Sequence, residues 1–185
     1  MVAAEDLRRR AGTGAIPQTP RLTLREMSAS DLDDMAALLG DPEVMRYYPR
    51  PKTRDEALGW IRWNERLYQT FGFGLWLMRL AETDGFVGDC GLTVQHVEGE
   101  AEVEVGYHVR SDLWCRGLAT EAAAACRDYA TTVLGLDRLV AIVDPRNHPS
   151  QRVAEKIGMA VERELVYADR PALLFVSGCA ASPST

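Results

Sequence analysis

The sequence has few cysteines, no long apolar run and no excess of positive charge. Its 4 cysteines among 185 residues have neither the density of a disulfide-stabilised domain nor the spacing of metal ligands, so free thiols in a reducing compartment are expected. No apolar run is long enough to span a bilayer, and residues 1–18 lack the apolar centre of a signal peptide. These absences predict a cytoplasmic protein with no metal site and no membrane association.

The net charge of -6 argues against general nucleic-acid binding, which needs a basic surface to neutralise phosphates. A cationic partner such as an amine suits this charge better, although mild acidity also serves solubility. The run Arg8-Arg9-Arg10 lies near the amino terminus, where an RNA-contacting arm stays open as an alternative to a loose tail.

A chain of 185 residues with 46% hydrophobic residues fits one globular domain with a sizeable core. We expect that domain to span about residues 19–177, with residues 1–18 and 178–185 as flexible tails. There is no internal repeat and no low-complexity tract.

Residues 114–122, Trp-Cys-Arg-Gly-Leu-Ala-Thr-Glu-Ala, form a tight turn that opens into an alanine-rich helix. Gly117 permits backbone angles that a side chain would forbid, and small residues after it let a ligand approach the main-chain N–H groups at the start of the helix. Those unpaired amides and the helix dipole favour a phosphate there. The alternative is a helix opened by Gly and Ala for packing alone.

The segments around this turn have clear patterns. Residues 101–109 alternate as a strand, with the valines and Tyr107 on one face and Glu102, Glu104 and His108 on the other. Residues 138–143 form an apolar run typical of a buried strand, and Asn147 heads a second helix.

The amino-terminal half supplies two helices and a hairpin. Ser30 is a candidate N-cap for a helix over residues 31–39, and a capping-box pattern at Thr53 starts a long helix to about residue 69. A short helix is expected after Asp41-Pro42. Residues 71–81 and 86–95 are predicted to pair as a hairpin through an Asp-Gly turn.

Three ordered motifs resemble the GNAT superfamily of acyl-CoA N-acyltransferases, and within it the branch of the ribosomal-protein N-terminal (alanine/serine) acetyltransferases. They are Glu-x-Gly-Tyr at residues 104–107, Trp-x-x-Gly-x-Ala-Thr-Glu-Ala at 114–122, and Asn-x-x-Ser-x-x-Val-x-x-Lys-x-Gly at 147–158. The likeness covers about residues 19–176. It implies a mixed α/β, α+β-like domain with helices on both faces of a mostly antiparallel sheet that is splayed between the strands Glu102–Val109 and Arg138–Val143.

The resemblance implies an acetyl-CoA-dependent N-acetyltransferase in which an amine attacks the bound thioester directly. The acceptor is a protein N-terminus or a small-molecule amine, and a homodimer is compatible with the family. A non-catalytic acyl-CoA-binding or interaction module of the same fold is the alternative.

The cofactor-binding residues implied by the resemblance lie in three places: the end of the alternating strand, the turn, and the head of the second helix. They are His108, Val109, Trp114, Cys115, Arg116, Gly117, Leu118, Ala119, Thr120, Asn147 and Ser150. The strand residues would pair through their backbone with the pantetheine arm. Asn147 is equally a candidate helix cap.

Glu104 is the predicted general base, acting through water, because a protonated amine cannot attack. Glu102 lies on the same face and is a second candidate, while a salt bridge with an arginine such as Arg79 or Arg25 is the structural alternative for either carboxylate. His108 is an alternative base.

Many members of the superfamily protonate the leaving thiolate with a tyrosine seven residues after the motif's Asn, and that position is Ala154 here. Ser150 is the nearest matching polar side chain and Tyr167 is a second candidate. The acceptor itself is expected to contact Tyr47, Tyr48 and Phe73. For Trp60 and Trp63, helical spacing favours the core over the acceptor pocket.

Overall fold

A seven-stranded sheet organises the chain, of which the computed structural model describes residues 15–177. The strands follow one another in the order β1-β2-β3-β4-β5-β7-β6. Among the described strands β4 and β5 pair in parallel, and the other neighbouring strands pair antiparallel. The predicted mixed, mostly antiparallel sheet is therefore confirmed. The strands are β1 Leu22–Arg25, β2 Leu75–Leu80, β3 Phe86–Val97, β4 Glu100–Val109, β5 Leu139–Val143, β6 Ala160–Tyr167 and β7 Arg170–Ser177.

Helices cover both faces of this sheet. The indole of Trp60 in the second helix donates to Asp89 of β3, and the thiol of Cys126 in the third helix lies 3.7 Å from that of Cys90, the next residue of β3. Successive side chains of a strand point to opposite faces, so these two helices lie on opposite sides. The helices are α1 Leu32–Gly40, α2 Arg54–Phe71, α3 Leu118–Thr132 and α4 His148–Lys156.

The side chains of β4 differ in polarity between the two faces of the sheet. Val103 and Val105 are buried in the main core together with Ala122 and Cys126 of α3. The small side chains of α3 allow the helix to approach the sheet closely. The alternate residues of β4 face α2, so the two carboxylates of this strand and His108 lie on the opposite side from α3, as the alternation predicts.

Some local expectations change. Thr53 caps α2 as predicted, accepting a hydrogen bond from the Glu56 amide at 3.3 Å. The N-cap of α1 is Asp31 rather than Ser30. A short 3-10 turn, Ala29–Asp31, precedes the helix, and its own N-cap is Ser28, whose amide donates to Asp31 at 2.9 Å. β2 begins at Leu75 rather than residue 71, since Gly72 ends α2 with a φ of 70°.

The short helix expected after Asp41 is wrong, and residues 42–47 form turns instead. The Asp41 carboxylate accepts from the Glu43 amide at 2.8 Å, which satisfies one turn. Pro49 and Pro51 follow soon after and restrict their neighbours to extended conformations, so a longer helix cannot form. The segment between α1 and α2 is therefore a loop, and it carries Tyr47 and Tyr48.

Two residues that precede position 19 contact the folded part of the chain. Ile16 packs against the main core and Pro17 is buried. The predictions for Arg8–Arg10 and for residues 178–185 fall outside the described residues.

Candidate active site

The sheet opens between β4 and β5. β4 pairs with β3 along its whole length, from Glu100 opposite Val97 to Val109 opposite Gly88. In the described sheet its parallel pairing with β5 joins only Glu104 and Val140. The edge of β4 beyond Glu104 therefore faces β5 without a ladder of bonds, which is the arrangement expected of a strand edge that can receive an extended ligand.

The alternation of the backbone decides which groups of β4 face this gap. The His108 amide donates to the Asp89 carboxylate at 3.1 Å, and the His108 carbonyl lies so close to Gly88 that a Cβ there would come within 2.0 Å of it. Both backbone groups of His108 thus point to β3. The predicted cofactor contact through the His108 backbone does not fit this geometry, whereas Tyr107 and Val109 alternate towards the gap.

Glu104 lies where the two strands separate. Its Oε1 accepts the Ile142 amide of β5 at 3.2 Å and its Oε2 accepts the Thr93 hydroxyl at 3.3 Å. The carboxylate therefore replaces a strand-to-strand hydrogen bond at the start of the opening. Burial raises the pKa of the Glu104 carboxyl above its usual value, although the hydrogen bonds that it accepts act in the opposite direction.

A buried polar chain lies on the same face. His108 Nδ1 is 2.7 Å from Asp89 Oδ1, and His108 Nε2 is 2.8 Å from the hydroxyl of Tyr48. The other carboxylate oxygen of Asp89 accepts the Trp60 indole N–H at 3.0 Å. Burial raises the pKa of the Tyr48 phenol, with the charge of Glu104 adding to the effect. This chain links the interior of the sheet to the loop that carries Tyr48.

On the opposite face, β4 contacts the head of α4. The Tyr107 hydroxyl is 3.0 Å from Ser150 Oγ and 3.0 Å from the Ser150 carbonyl. The Asn147 side chain accepts the Ser150 amide at 3.2 Å, so Asn147 and not Ser150 caps this helix. The Ser150 hydroxyl is left to interact with Tyr107. Burial raises the pKa of the Tyr107 phenol.

The predicted phosphate turn leaves the head of α3 without a side-chain cap from the described residues. Gly117 adopts a φ of 77° and Cys115 one of 61°, and α3 begins at Leu118 with no side chain hydrogen-bonded as a cap in the described structure. The first backbone bond that closes the helix runs from the Glu121 amide to the Gly117 carbonyl at 3.0 Å. The amides that precede it are the donors that a helix leaves unpaired.

Arg21, the residue before β1, contacts this turn. Arg21 Nη1 donates to the Arg116 carbonyl at 2.9 Å, and its Nε pairs with Glu121. Although burial acts against it, hydrogen bonds from Thr19 and Arg21 hold the pKa of Glu121 below its usual value. The Arg116 carbonyl of the turn is thus bound to Arg21. The unpaired amides are those at the head of α3.

Several predicted site residues are engaged elsewhere. Glu102 forms a salt bridge with Arg138 at 2.9 Å, which is the structural alternative predicted for it, although with a different arginine. The two arginines named in that prediction pair elsewhere, Arg25 with Asp31 and Arg79 with Asp34. Phe73 is 0% exposed and packs within the core, away from any open surface. The Trp114 indole donates to the Val109 carbonyl at 2.8 Å, which occupies one acceptor at the end of β4.

The loop that carries Tyr47 and Tyr48 contacts the β6–β7 hairpin. Arg170 in that hairpin donates to the Tyr47 carbonyl at 2.7 Å and to Asp144, just after β5, at 3.2 Å. Tyr167, an alternative proton donor by sequence, gives its hydroxyl to Gln95 at 2.7 Å on this same face. These contacts join the hairpin to the loop, to the end of β5 and to β3.

Sequence reasoning missed two residues of this arrangement. Asp89 is an acid in a strand that is otherwise apolar, and a buried carboxylate without an evident partner signals a specific polar contact. Tyr107 was assigned to the apolar face through its alternation with valines, which gave no sign of its contact with Ser150.

The described residues contain no group of three or more His, Cys, Asp or Glu side chains placed to hold a metal ion. Among the helices that the structure describes, none combines the length and the apolar character needed to cross a bilayer.

A family model for the acetyltransferase (GNAT) domain matches residues 21–160 of this sequence. The chain therefore belongs to the GNAT acetyltransferase family. The uncharacterized protein YkkB of Bacillus subtilis (strain 168) is 35% identical over 158 residues, which cover 85% of this chain and 92% of YkkB. The spermidine N(1)-acetyltransferase of Escherichia coli (strain K12) is 28% identical over 165 residues, covering 82% of this chain and 80% of that enzyme.

Solved structures agree with this assignment. An acetyltransferase from Agrobacterium tumefaciens str. C58 superposes with a TM-score of 0.78 at 28% identity, covering 90% of this chain and 97% of the other. RimJ of Mycobacterium smegmatis, solved in complex with CoA-disulfide, shares the fold with a TM-score of 0.67 at 23% identity, covering 89% of this chain and 85% of its own. The predicted family is confirmed, with the ribosomal-protein branch among its structural neighbours at low identity.

Proposed function

We propose that this protein transfers an acetyl group from acetyl-CoA directly to an amine, through a single domain spanning about residues 19–177. The observation that carries the proposal is that the unpaired edge of β4 ends beside the uncapped amino terminus of α3. One ligand with an extended arm and a diphosphate would occupy both features at once. Direct transfer requires no covalent intermediate, and Cys115 lies in the phosphate turn rather than beside the polar chain.

The cofactor would be held mainly by main-chain groups. The amides from Cys115 to Thr120 would bind the diphosphate, with Arg116 adding positive charge. Tyr107 and Val109 would offer backbone groups to the pantetheine arm at the opening of the sheet. The side-chain NH₂ group of Asn147 would contact the same arm, because only the side-chain oxygen of Asn147 accepts the Ser150 amide.

Glu104 would accept a proton from the acceptor amine, directly or through water. It lies where β4 and β5 diverge, and in this proposal the acyl group would bind beside it. The raised pKa of this carboxyl makes its conjugate base a stronger proton acceptor than an exposed glutamate. Glu102 would act on the structure through its pairing with Arg138.

The pair Ser150 and Tyr107 would return a proton to the leaving thiolate. Their oxygens are 3.0 Å apart, and both lie on the α4 side of β4. Ala154 occupies the position where many family members carry the tyrosine, and it is fully buried. The phenol of Tyr107 would supply the missing hydroxyl from the strand instead of the helix.

The acceptor would enter on the α2 side, between the Tyr47–Tyr48 loop and the β6–β7 hairpin. The carboxylate of Glu104 on this face and the net charge of -6 favour a cationic amine. A small polyamine and a protein N-terminus both meet this description. The relative named for spermidine favours testing polyamines first.

Release of free thiol measured with acetyl-CoA and a panel of amines tests the proposal. The panel contains spermidine, simple primary amines and peptides that begin with alanine or serine. Turnover with at least one of them, and product mass increased by one acetyl group, is expected. Binding of CoA by calorimetry without turnover on any amine would instead favour the non-catalytic acyl-CoA-binding module.

A further inference from the structure

The polar chain between α2 and the Tyr48 loop runs from the interior to the surface. Asp89 is 0% exposed and His108 is 7% exposed, whereas Tyr48 is 40% exposed. The hydroxyl of Tyr48 nevertheless lies 2.8 Å from the buried Nε2 of His108. Tyr48 is therefore a partly exposed residue whose hydroxyl end contacts a buried imidazole ring.

The direction of the hydrogen bonds follows from the donors around Asp89. The Trp60 indole and the His108 backbone amide can only donate, and both point at the carboxylate. Asp89 is therefore the acceptor for His108 Nδ1 as well, so the proton of the neutral ring lies on Nδ1. Nε2 is left as an acceptor, and the Tyr48 hydroxyl donates to it. The lone pairs of the Tyr48 oxygen remain for a ligand.

We infer that Tyr48 is a catalytic residue that takes a proton from the acceptor amine, and that His108 and Asp89 are the positioning residues that make this possible. The inference rests on the proposed acetyl transfer. As one N–H bond of the bound ammonium breaks, a new O–H bond forms on Tyr48, and the original hydroxyl proton passes to His108 Nε2. The products are the neutral amine, an intact tyrosine and an imidazolium paired with Asp89, so charge and protons balance.

A tyrosine in this position needs the histidine. Burial and the nearby Glu104 raise the pKa of Tyr48, so the phenol does not ionise by itself to act as a base. It can accept a proton only while it releases another, and His108 is the group placed to receive it. The carboxylate of Asp89 then stabilises the imidazolium without leaving its hydrogen bonds to Trp60 and the His108 amide.

The charged and titratable groups around His108 come from three elements. Asp89 contacts it from β3, Tyr48 from the loop, and Glu104 lies on the same face of β4. The Lys52 ammonium lies 5.3 Å from the centroid of the Trp60 ring. Acetylation removes two protons from the acceptor nitrogen in total, one before attack and one after it. Glu104 and the Tyr48 chain provide two separate acceptors for them.

The first test concerns the histidine alone and needs no substrate. Nitrogen-15 spectra of the imidazole rings would be assigned among the 3 histidines of the chain with His108→Gln as the reference. A neutral His108 ring protonated on Nδ1 is expected. A ring protonated on Nε2 overturns the inference, because Tyr48 would then have to accept from His108 and could not pass a proton to it.

The second test is kinetic and uses an amine that the wild type acetylates. Tyr48→Phe and His108→Gln are each expected to lower kcat by about 10²- to 10⁴-fold, the usual contribution of a positioned acid–base group, with the Kd for CoA unchanged. The two variants should also share one pH profile of kcat, and that profile should differ from the wild-type profile. Tyr129→Phe and His96→Gln are the matched controls, one in the α3 core and the other exposed on β3.

The outcomes separate the two proposals. A wild-type protein that turns over while Tyr48→Phe keeps the same kcat and pH profile overturns the role of Tyr48 and leaves the acetyl transfer standing. Inertness of the wild type towards every amine overturns the proposed function and this inference together. A lower kcat in Tyr48→Phe that His108→Gln does not share shows that the tyrosine acts without the relay, and this also refutes the inference.

Discussion

Replacing Glu104 by glutamine separates its proposed chemistry from its structural contacts. The amide oxygen of glutamine can accept the Ile142 amide, and its NH₂ group can donate to the Thr93 hydroxyl, which then acts as acceptor. Both hydrogen bonds of the wild type therefore have an equivalent in Glu104→Gln. The variant loses only the ability to take up a proton, and we expect kcat to fall by about 10²- to 10⁴-fold.

The same substitution has a predictable effect on stability. Because the pKa of Glu104 is raised on folding, the native state holds its proton at pH values where the unfolded chain has released it. Stability therefore falls as the pH rises from the ordinary glutamate pKa through the raised one, by about 1.4 kcal/mol for each unit of displacement. Glu104→Gln has no such charge to bury. It should be at least as stable as the wild type at neutral pH, and the difference should vanish in acid.

The assays are thiol release across a pH series and urea unfolding at neutral and acidic pH. Glu100→Gln, at the exposed start of the same strand, is the control for removing one negative charge. Calorimetry with CoA should give the same Kd in all three proteins. If Glu104→Gln retains wild-type kcat and the wild-type pH dependence, Glu104 is not the base.

Gly117→Glu should abolish CoA binding, measured by calorimetry, because it places bulk and negative charge at the head of α3. The control is Gly99→Glu, since Gly99 is another left-handed glycine, with a φ of 90° and open space around it. This control shares the conformational cost of about 1–2 kcal/mol and should bind CoA normally. Equal affinities in the two variants would remove the turn from the cofactor site. Ser150→Ala should lower kcat by about 10²-fold with little change in Tm, since Asn147 rather than Ser150 caps α4. Thiol release at the wild-type rate would place the proton donor elsewhere.

The order of most elements and the left-handed backbone of the turn before α3 were predictable because they depend on local patterns. Alternation defines β4, the capping box at Thr53 starts α2, and Gly117 marks a backbone conformation that a side chain would strain. Each of these signals lies within a few neighbouring residues. The splay of the sheet came from the family resemblance and not from the residues themselves.

The partners of the polar residues were not predictable in the same way. Glu102 was expected beside Glu104 as a second candidate catalytic carboxylate, but it forms a salt bridge with Arg138, the residue before β5. The chain from Trp60 to Tyr48 joins α2, β3, β4 and a loop, and its contacts depend on the register of Asp89 against His108. Periodicity gives the face on which a side chain lies, and it does not give the partner that the side chain meets across the fold.

Glu104 shows how the structural and the chemical requirements meet at one position. Where β4 and β5 separate, the Ile142 amide loses the carbonyl that a continued ladder would offer, and leaving it buried without an acceptor would cost about 1–3 kcal/mol. A side-chain oxygen at position 104 meets that need. Glutamine would meet it equally well without burying a charge, so the fold alone gives no reason for an acid here. Glu104 instead supplies a carboxylate with a raised pKa at the opening of the sheet. This is the arrangement expected where a proton acceptor is needed.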